Sequence, residues 1–193
     1  NADHLQAFAR EHELDGRRVL ATAAALTAEK DPLTLIDAVH ALAQRRNDFV
    51  FLHLGVGGSL EEAAHARVRE LGLEQVYRFA GFREGIEDLY RLMDVFVLSS
   101  RHEALGSSVL DAFLYGVPVV ATNAGGLADL LADGRGLVSE VGDAAALAAN
   151  MMRALDDPAL RATLVEQAQR YVQREHDPAA MAQRYLALYG AGR

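Results

Sequence analysis

Lys30 is the lone lysine among 19 basic residues, the other 18 being arginine. It stands directly before Asp31-Pro32, which reads as a helix N-cap followed by proline at the first helical position. A compact ammonium beside the free N–H groups and positive end of a helix suits a phosphate. A solvated surface lysine is the alternative. Glu103 sits in the glycine- and serine-rich run Ser99–Ser108, and Asp111 follows eight residues later, about one turn into a predicted helix. Two carboxylates across a loop–helix junction can face one pocket, with Gly106 allowing close approach and the next N–H groups serving as donors. Equally, Ser108-x-x-Asp111 has the form of a capping box, which would reduce Asp111 to a helix-start residue. Gly55, Gly57 and Gly58 let the backbone turn tightly, either to approach a ligand or only to join a strand to a helix. His102 beside Glu103 suggests a general base, although a lone loop histidine more often packs or hydrogen-bonds.

Several chemistries are excluded by what the chain lacks. With no cysteine, it offers no thiol nucleophile, disulfide framework or Cys-ligated metal. The H-E-x-x-H, acidic calcium-loop, P-loop and G-x-S-x-G patterns are all missing, so no protein-held metal, P-loop nucleotide site or serine nucleophile is expected. A net charge of −8 with a pI near 5.3 argues against a nucleic-acid partner. No apolar run reaches membrane-span length, and residues 1–14 are too polar for a signal peptide. The absence of cysteine suits a reducing compartment, and a cytoplasmic location is expected.

Strands and helices must position these residues. Apolar runs at 18–24, 49–54, 76–80, 95–98, 117–121 and 136–141 read as strands. Helical patterns lie between them, at 32–46, 59–71, 86–93, 108–115 and 127–131, with Ser59 and Glu62 as a capping box for the second. The chain reads as one α/β domain over 1–193: a lead-in helix in 1–15, a core over 16–141, and C-terminal helices over 142–193 broken at Asp157-Pro158 and Asp177-Pro178. The expected fold is a Rossmann-like parallel sheet of about six strands with helices on both faces. Such sheets bind ligands beyond the carboxyl ends of their strands. The three loops at 24–31, 55–59 and 99–108 lie at that edge.

These loops, in this order, resemble the C-terminal domain of family-4 glycosyltransferases of the GT-B fold. Leu26–Asp31 is similar to the family's phosphate loop, and Val76–Phe82 to the segment leading to its nucleobase pocket. Asp94–Ser100 with Glu103 and Asp111 resembles the region of the Glu-x7-Glu motif, continued by Gly116–Thr122 and Gly125-Gly126. Arg184–Tyr189 is similar to the closing helix.

The resemblance implies a nucleotide-diphosphate-sugar donor and transfer of a hexosyl group with retention, with no metal or other cofactor. Lys30 would contact the diphosphate, and Glu103, as the catalytic residue, would face the donor sugar. Asp111 would meet the ribose, and the backbone of Leu105, Gly106 and Ser107 would hold sugar hydroxyls and phosphate. Phe82 and Arg83 would border the base, with Gly55 and Gly57 near the donor. Three departures stand out: Ala24-Ala25 where Gly-Arg is common, Asp111 one methylene short of Glu, and Ala104-Leu105-Gly106 for Gly-Phe-Gly. GT-B enzymes hold the acceptor in an N-terminal domain, which 193 residues leave no room for. The chain is therefore expected to be a fragment inactive alone, with any peripheral membrane association carried by the other half. The alternatives are a degenerate nucleotide-binding module and a GT-B-type nucleotide-sugar epimerase. A receiver domain would need an acidic cluster after the first strand, and Ala21–Leu26 has none.

Overall fold

A computed structural model describes residues 2–83 and 85–175. The elements run α1 (Ala2–Glu11), β1 (Arg18–Ala23), α2 (Pro32–Ala43), β2 (Phe49–Leu54), α3 (Glu61–Glu70), β3 (Tyr77–Gly81) and α4 (Ile86–Leu89). A 3-10 turn (Tyr90–Leu92) then leads to β4 (Val95–Leu98), α5 (Ser107–Leu114), β5 (Val119–Thr122), α6 (Gly126–Leu130), β6 (Leu137–Ser139), α7 (Ala144–Asp156) and α8 (Pro158–Glu175). All six strands pair in parallel in the order β3-β2-β1-β4-β5-β6, the doubly wound arrangement expected from the alternating pattern.

Alternation along each strand sends successive side chains to opposite faces of the sheet. Val19, Ala21, Val50, Leu52, Phe96 and Leu98 face one core, closed by residues of α1, α5 and α8. Leu20, Phe49, Phe51, Val95, Val97 and Val120 face the other, closed by α2, α3 and α7. Burial on both faces explains why the strands read as unbroken apolar runs. His53 breaks that pattern. It is buried on β2, where its Nδ1 lies 2.6 Å from the Tyr77 hydroxyl and its Nε2 3.0 Å from the Ala24 carbonyl.

Some local expectations change. Asp31 caps α2, accepting from the Thr34 N–H and hydroxyl at 3.2 and 2.7 Å. The Ser59–Glu62 capping box does not form. The helix starts at Glu61, no side chain caps it, and the Leu60 N–H donates to the Leu26 carbonyl, tying its start to the loop after β1. Nor does Ser108 cap α5. Gly106, in the left-handed region at φ 62°, precedes that helix, and Ser107 and Ser108 already belong to its first turn. The strand expected from 117 begins at Val119, after Pro118, and the last strand is confined to Leu137–Ser139. The break at Asp157-Pro158 separates α7 from α8. The break at Asp177-Pro178 and the segment Arg184–Tyr189 lie outside the described residues.

The sheet order reverses between β1 and β4, so the loops that follow these two strands lie side by side at the carboxyl edge. Lys30 is in one and Glu103 in the other.

Candidate functional site

The two loops are stapled together by their backbones. The Ser99 hydroxyl lies 2.9 and 3.0 Å from the carbonyls of Lys30 and Asp31. The N–H groups of Arg101 and His102 point to the Glu29 carbonyl at 2.7 and 3.4 Å. The Arg101 Nε meets the buried Asp31 Oδ2 at 2.8 Å. This frame brings the Lys30 Nζ to 2.5 Å from the Glu103 Oε2. The same carboxylate lies 3.3 Å from the Ser100 hydroxyl, and its other oxygen 3.4 Å from the Gly106 N–H. The Glu103 side chain is 13% exposed and that of Lys30 31%, so the pair is largely withdrawn from water.

A cleft of about 500 Å³ opens at the carboxyl ends of β1, β2 and β3. Ala24, Ala25, Gly55 and Val56 line one side of it, and Phe82, Arg83, Ile86 and Glu87 the other. Phe82 is 74% exposed, an aromatic ring presented to solvent rather than to a core. Arg83 is anchored by the Ala80 carbonyl at 2.9 Å and Glu11 at 3.0 Å, and it lies over the Phe8 ring. The lead-in helix therefore orients it.

The glycines divide by role. A Cβ on Gly55 would stand 2.1 Å from the Ala24 carbonyl oxygen, and one on Gly58 2.3 Å from that of Leu26. Both positions also have φ in the left-handed range, at 139° and 126°. Their chemistry is thus dictated by close approach of the β2–α3 turn to the loop after β1. Gly57 keeps open space where a Cβ would be, and its carbonyl accepts from the Leu26 N–H at 2.8 Å. Of the three, Gly55 also lines the cleft.

Asp111 lies on α5, next to Glu87 and the buried Tyr90, whose hydroxyl donates to the Ser108 carbonyl at 3.1 Å. Burial, and then the Glu87 carboxylate, push the Asp111 pKa above its ordinary value. Asp111 and Glu87 likewise add to burial in raising the Tyr90 phenol. Asp111 is thus a partly desolvated carboxylate held beside a like charge, the kind of perturbation common at ligand sites. Leu105 is 79% exposed at the tip of the loop, Gly106 makes the turn, and Ser107 opens the helix, where first-turn N–H groups have no intrahelical acceptor.

The expected residues thus fall into two neighbouring groups. Gly55, Phe82 and Arg83 border the cleft, while Lys30 and Glu103 meet between the loops after β1 and β4. Ala24-Ala25, at the start of the Lys30 loop, and Glu87, beside Asp111, join the groups. His102 is exposed and contributes its backbone to the loop staple. Among the described residues, no group of three or more His, Cys, Asp or Glu is placed to hold a metal ion, and no helix is long and apolar enough to cross a membrane.

The residue pattern alone missed the supports. A Cβ on Gly125 would fall 2.4 Å from the Glu103 carbonyl oxygen, and one on Gly126 2.5 Å from that of Ala104. The Gly126 N–H donates to the Glu103 carbonyl at 2.9 Å. The Gly-Gly pair is the bed on which the Glu103 loop rests, and adjacent glycines after a strand were its signal. Ser99 gave none, since its role depends on a loop distant in sequence. His53 was visible as the single ionisable residue in an apolar strand.

Comparison with known proteins identifies the family and the fold. Residues 6–171 match the family described as glycosyl transferases group 1. The chain is 33% identical over 156 residues to the lipopolysaccharide core biosynthesis glycosyltransferase LpsE of Rhizobium meliloti, covering 80% of this chain and 44% of that protein. It is 35% identical over 148 residues to the 2-deoxystreptamine glucosyltransferase of Streptomyces kanamyceticus, covering 75% of this chain and 38% of that protein. The chain therefore spans less than half the length of these curated relatives. Its fold resembles that of Anabaena HepE, crystallised with UDP and glucose, at a TM-score of 0.85 and 24% identity over 98% of this chain and 52% of that one. It also matches the C-terminal domain of a group 1 glycosyl transferase, LpcC of Francisella tularensis, at a TM-score of 0.79 and 20% identity over 90% of this chain and 93% of that one. With a family match over residues 6–171, the chain belongs to the group 1 glycosyltransferases, and its fold is that of the C-terminal domain of a GT-B enzyme.

Proposed function

We propose that this domain binds a nucleoside-diphosphate-sugar donor for a retaining hexosyl transfer. The observation that carries this reading is the meeting of Lys30 and Glu103 from two loops at the reversal of sheet order. The base lies in the cleft bordered by Phe82 and Arg83, and the diphosphate runs past Gly55 and Gly57 to Lys30. Asp111 takes the ribose hydroxyls. Glu103, with the backbone of Leu105, Gly106 and Ser107, receives the sugar. As the glycosidic bond breaks, charge grows on the leaving diphosphate. A fixed ammonium and helix-start N–H groups stabilise that charge without reorganising, and this contributes to lowering the barrier. No metal is assigned to this site.

The acceptor, on this reading, is held by another domain of the full protein, in the cytoplasm. Any contact with a membrane surface belongs to that domain. The share of its relatives that the chain spans supports this division, and the UDP in the HepE structure supports the nucleotide part of the reading. Accordingly, this chain alone is expected to bind donor and to transfer nothing.

Isothermal titration with UDP, GDP and ADP tests the reading. Binding of one of them, weakened about tenfold or more by Lys30→Ala, supports it. Failure to bind all three would favour a degenerate module, in keeping with Ala25 and the shortened Asp111. Sugar transfer by the chain alone would overturn the division of labour.

A further inference from the structure

Resting on that donor reading, we infer that Glu103 makes the site discriminate between a sugar-bearing nucleotide and the spent nucleoside diphosphate, by competing for Lys30. The ammonium is paired, 2.5 Å from a carboxylate that is itself 13% exposed. Cleft cations offer no substitute. Among the described residues that line the cleft, Arg83 is the one Lys or Arg; it is held by Glu11 and the Ala80 carbonyl, and position 25 is alanine. A diphosphate therefore competes with Glu103 for Lys30.

The cost of that exchange depends on what arrives with the phosphate. Among the described residues, removing the cation leaves a mostly buried carboxylate with the Ser100 hydroxyl and the Gly106 N–H, at 3.3 and 3.4 Å. An ionised group so stranded is strongly unfavourable. A donor sugar brings hydroxyl donors into that space, and charge-assisted hydrogen bonds to Glu103 offset the lost ion pair. A bare nucleoside diphosphate brings none. After the sugar has left, Glu103 recovers Lys30 and the product is released. The ion pair thus favours the loaded donor twice, by admitting it and by expelling what remains.

Titrations with matched pairs test this: UDP and UDP-glucose, GDP and GDP-mannose, ADP and ADP-glucose, each against the wild type and Glu103→Gln. Glutamine keeps the shape and one acceptor oxygen, exchanges the other for an amide donor, and removes the charge that holds Lys30. For the cognate pair, the wild type is expected to prefer the sugar nucleotide about tenfold, and Glu103→Gln to bind the bare diphosphate about tenfold more tightly, bringing the ratio near unity. Thermal unfolding checks that the variant folds. Because Lys30 is the one lysine, selective lysine isotope labelling gives a single side-chain signal. That signal should move in the ligand-free Glu103→Gln chain. If Glu103→Gln leaves the diphosphate affinity unchanged or lowers it, the inference fails while the donor reading stands. If the wild type binds no member of any pair, both fail.

Discussion

Asp111, the residue proposed to meet the ribose, shows most directly how a group placed for binding can work against stability. Its pKa is raised by burial and by Glu87. The folded chain therefore disfavours the charged form, and at neutral pH the group costs stability. Asp111→Asn is expected to stabilise the ligand-free chain by about 0.5 kcal/mol, a figure reduced for solvent screening. Urea denaturation at pH 7 measures that gain, and the same variant should bind nucleotide more weakly. The gain should fade below the ordinary carboxylate pKa, where Asp111 is protonated in both states. Lys30 and Glu103 were legible as residues because composition and a glycine-rich loop marked them. Their pairing was not, because it depends on the Ser99 and Arg101 staples between segments some seventy residues apart.

The loops and strand ends form a layered support. Gly125-Gly126 carries the Glu103 backbone, so Gly125→Ala should cost about 3 kcal/mol and displace the loop, since both the close approach and the positive φ of 50° forbid a Cβ. Gly57→Ala meets only its left-handed φ of 76° and should cost about 1 kcal/mol. Thermal or urea unfolding of the two variants separates the cases, with nucleotide binding lost in the first. His53 braces the end of β1 as a neutral ring. Burial lowers its pKa to about 4 from the ordinary 6.5. Its contribution is complete above pH 6.5 and is lost as the pH falls towards 4, because the unfolded chain takes up the proton first. The total is about 3 kcal/mol. In His53→Gln, the loss of stability between pH 6.5 and 4 should shrink by about one proton's worth of slope, as read by denaturant titration at each pH. The strands, α2 and its Asp31 cap were legible from apolar runs and local chemistry. The Ser59–Glu62 cap was misread, and the Ser108–Asp111 alternative does not hold, for a physical reason. Those helix starts are governed by contact with another loop and by a left-handed glycine, neither of which local spacing contains.

Across the whole molecule, a net charge of −8 coexists with a proposed anion site because a diphosphate senses the few groups nearest to it. The doubly wound sheet places the loops after β1 and β4 side by side, and the lone lysine is carried on one of them. The central claim is that Lys30 takes the diphosphate of the donor. Titration of lysine-labelled protein with UDP, GDP and ADP, and with their sugar conjugates, reads that event at one atom. The single lysine signal should shift saturably with the nucleotide that binds by calorimetry, and with the same affinity. Nucleotide binding that leaves the lysine signal unmoved would contradict the account.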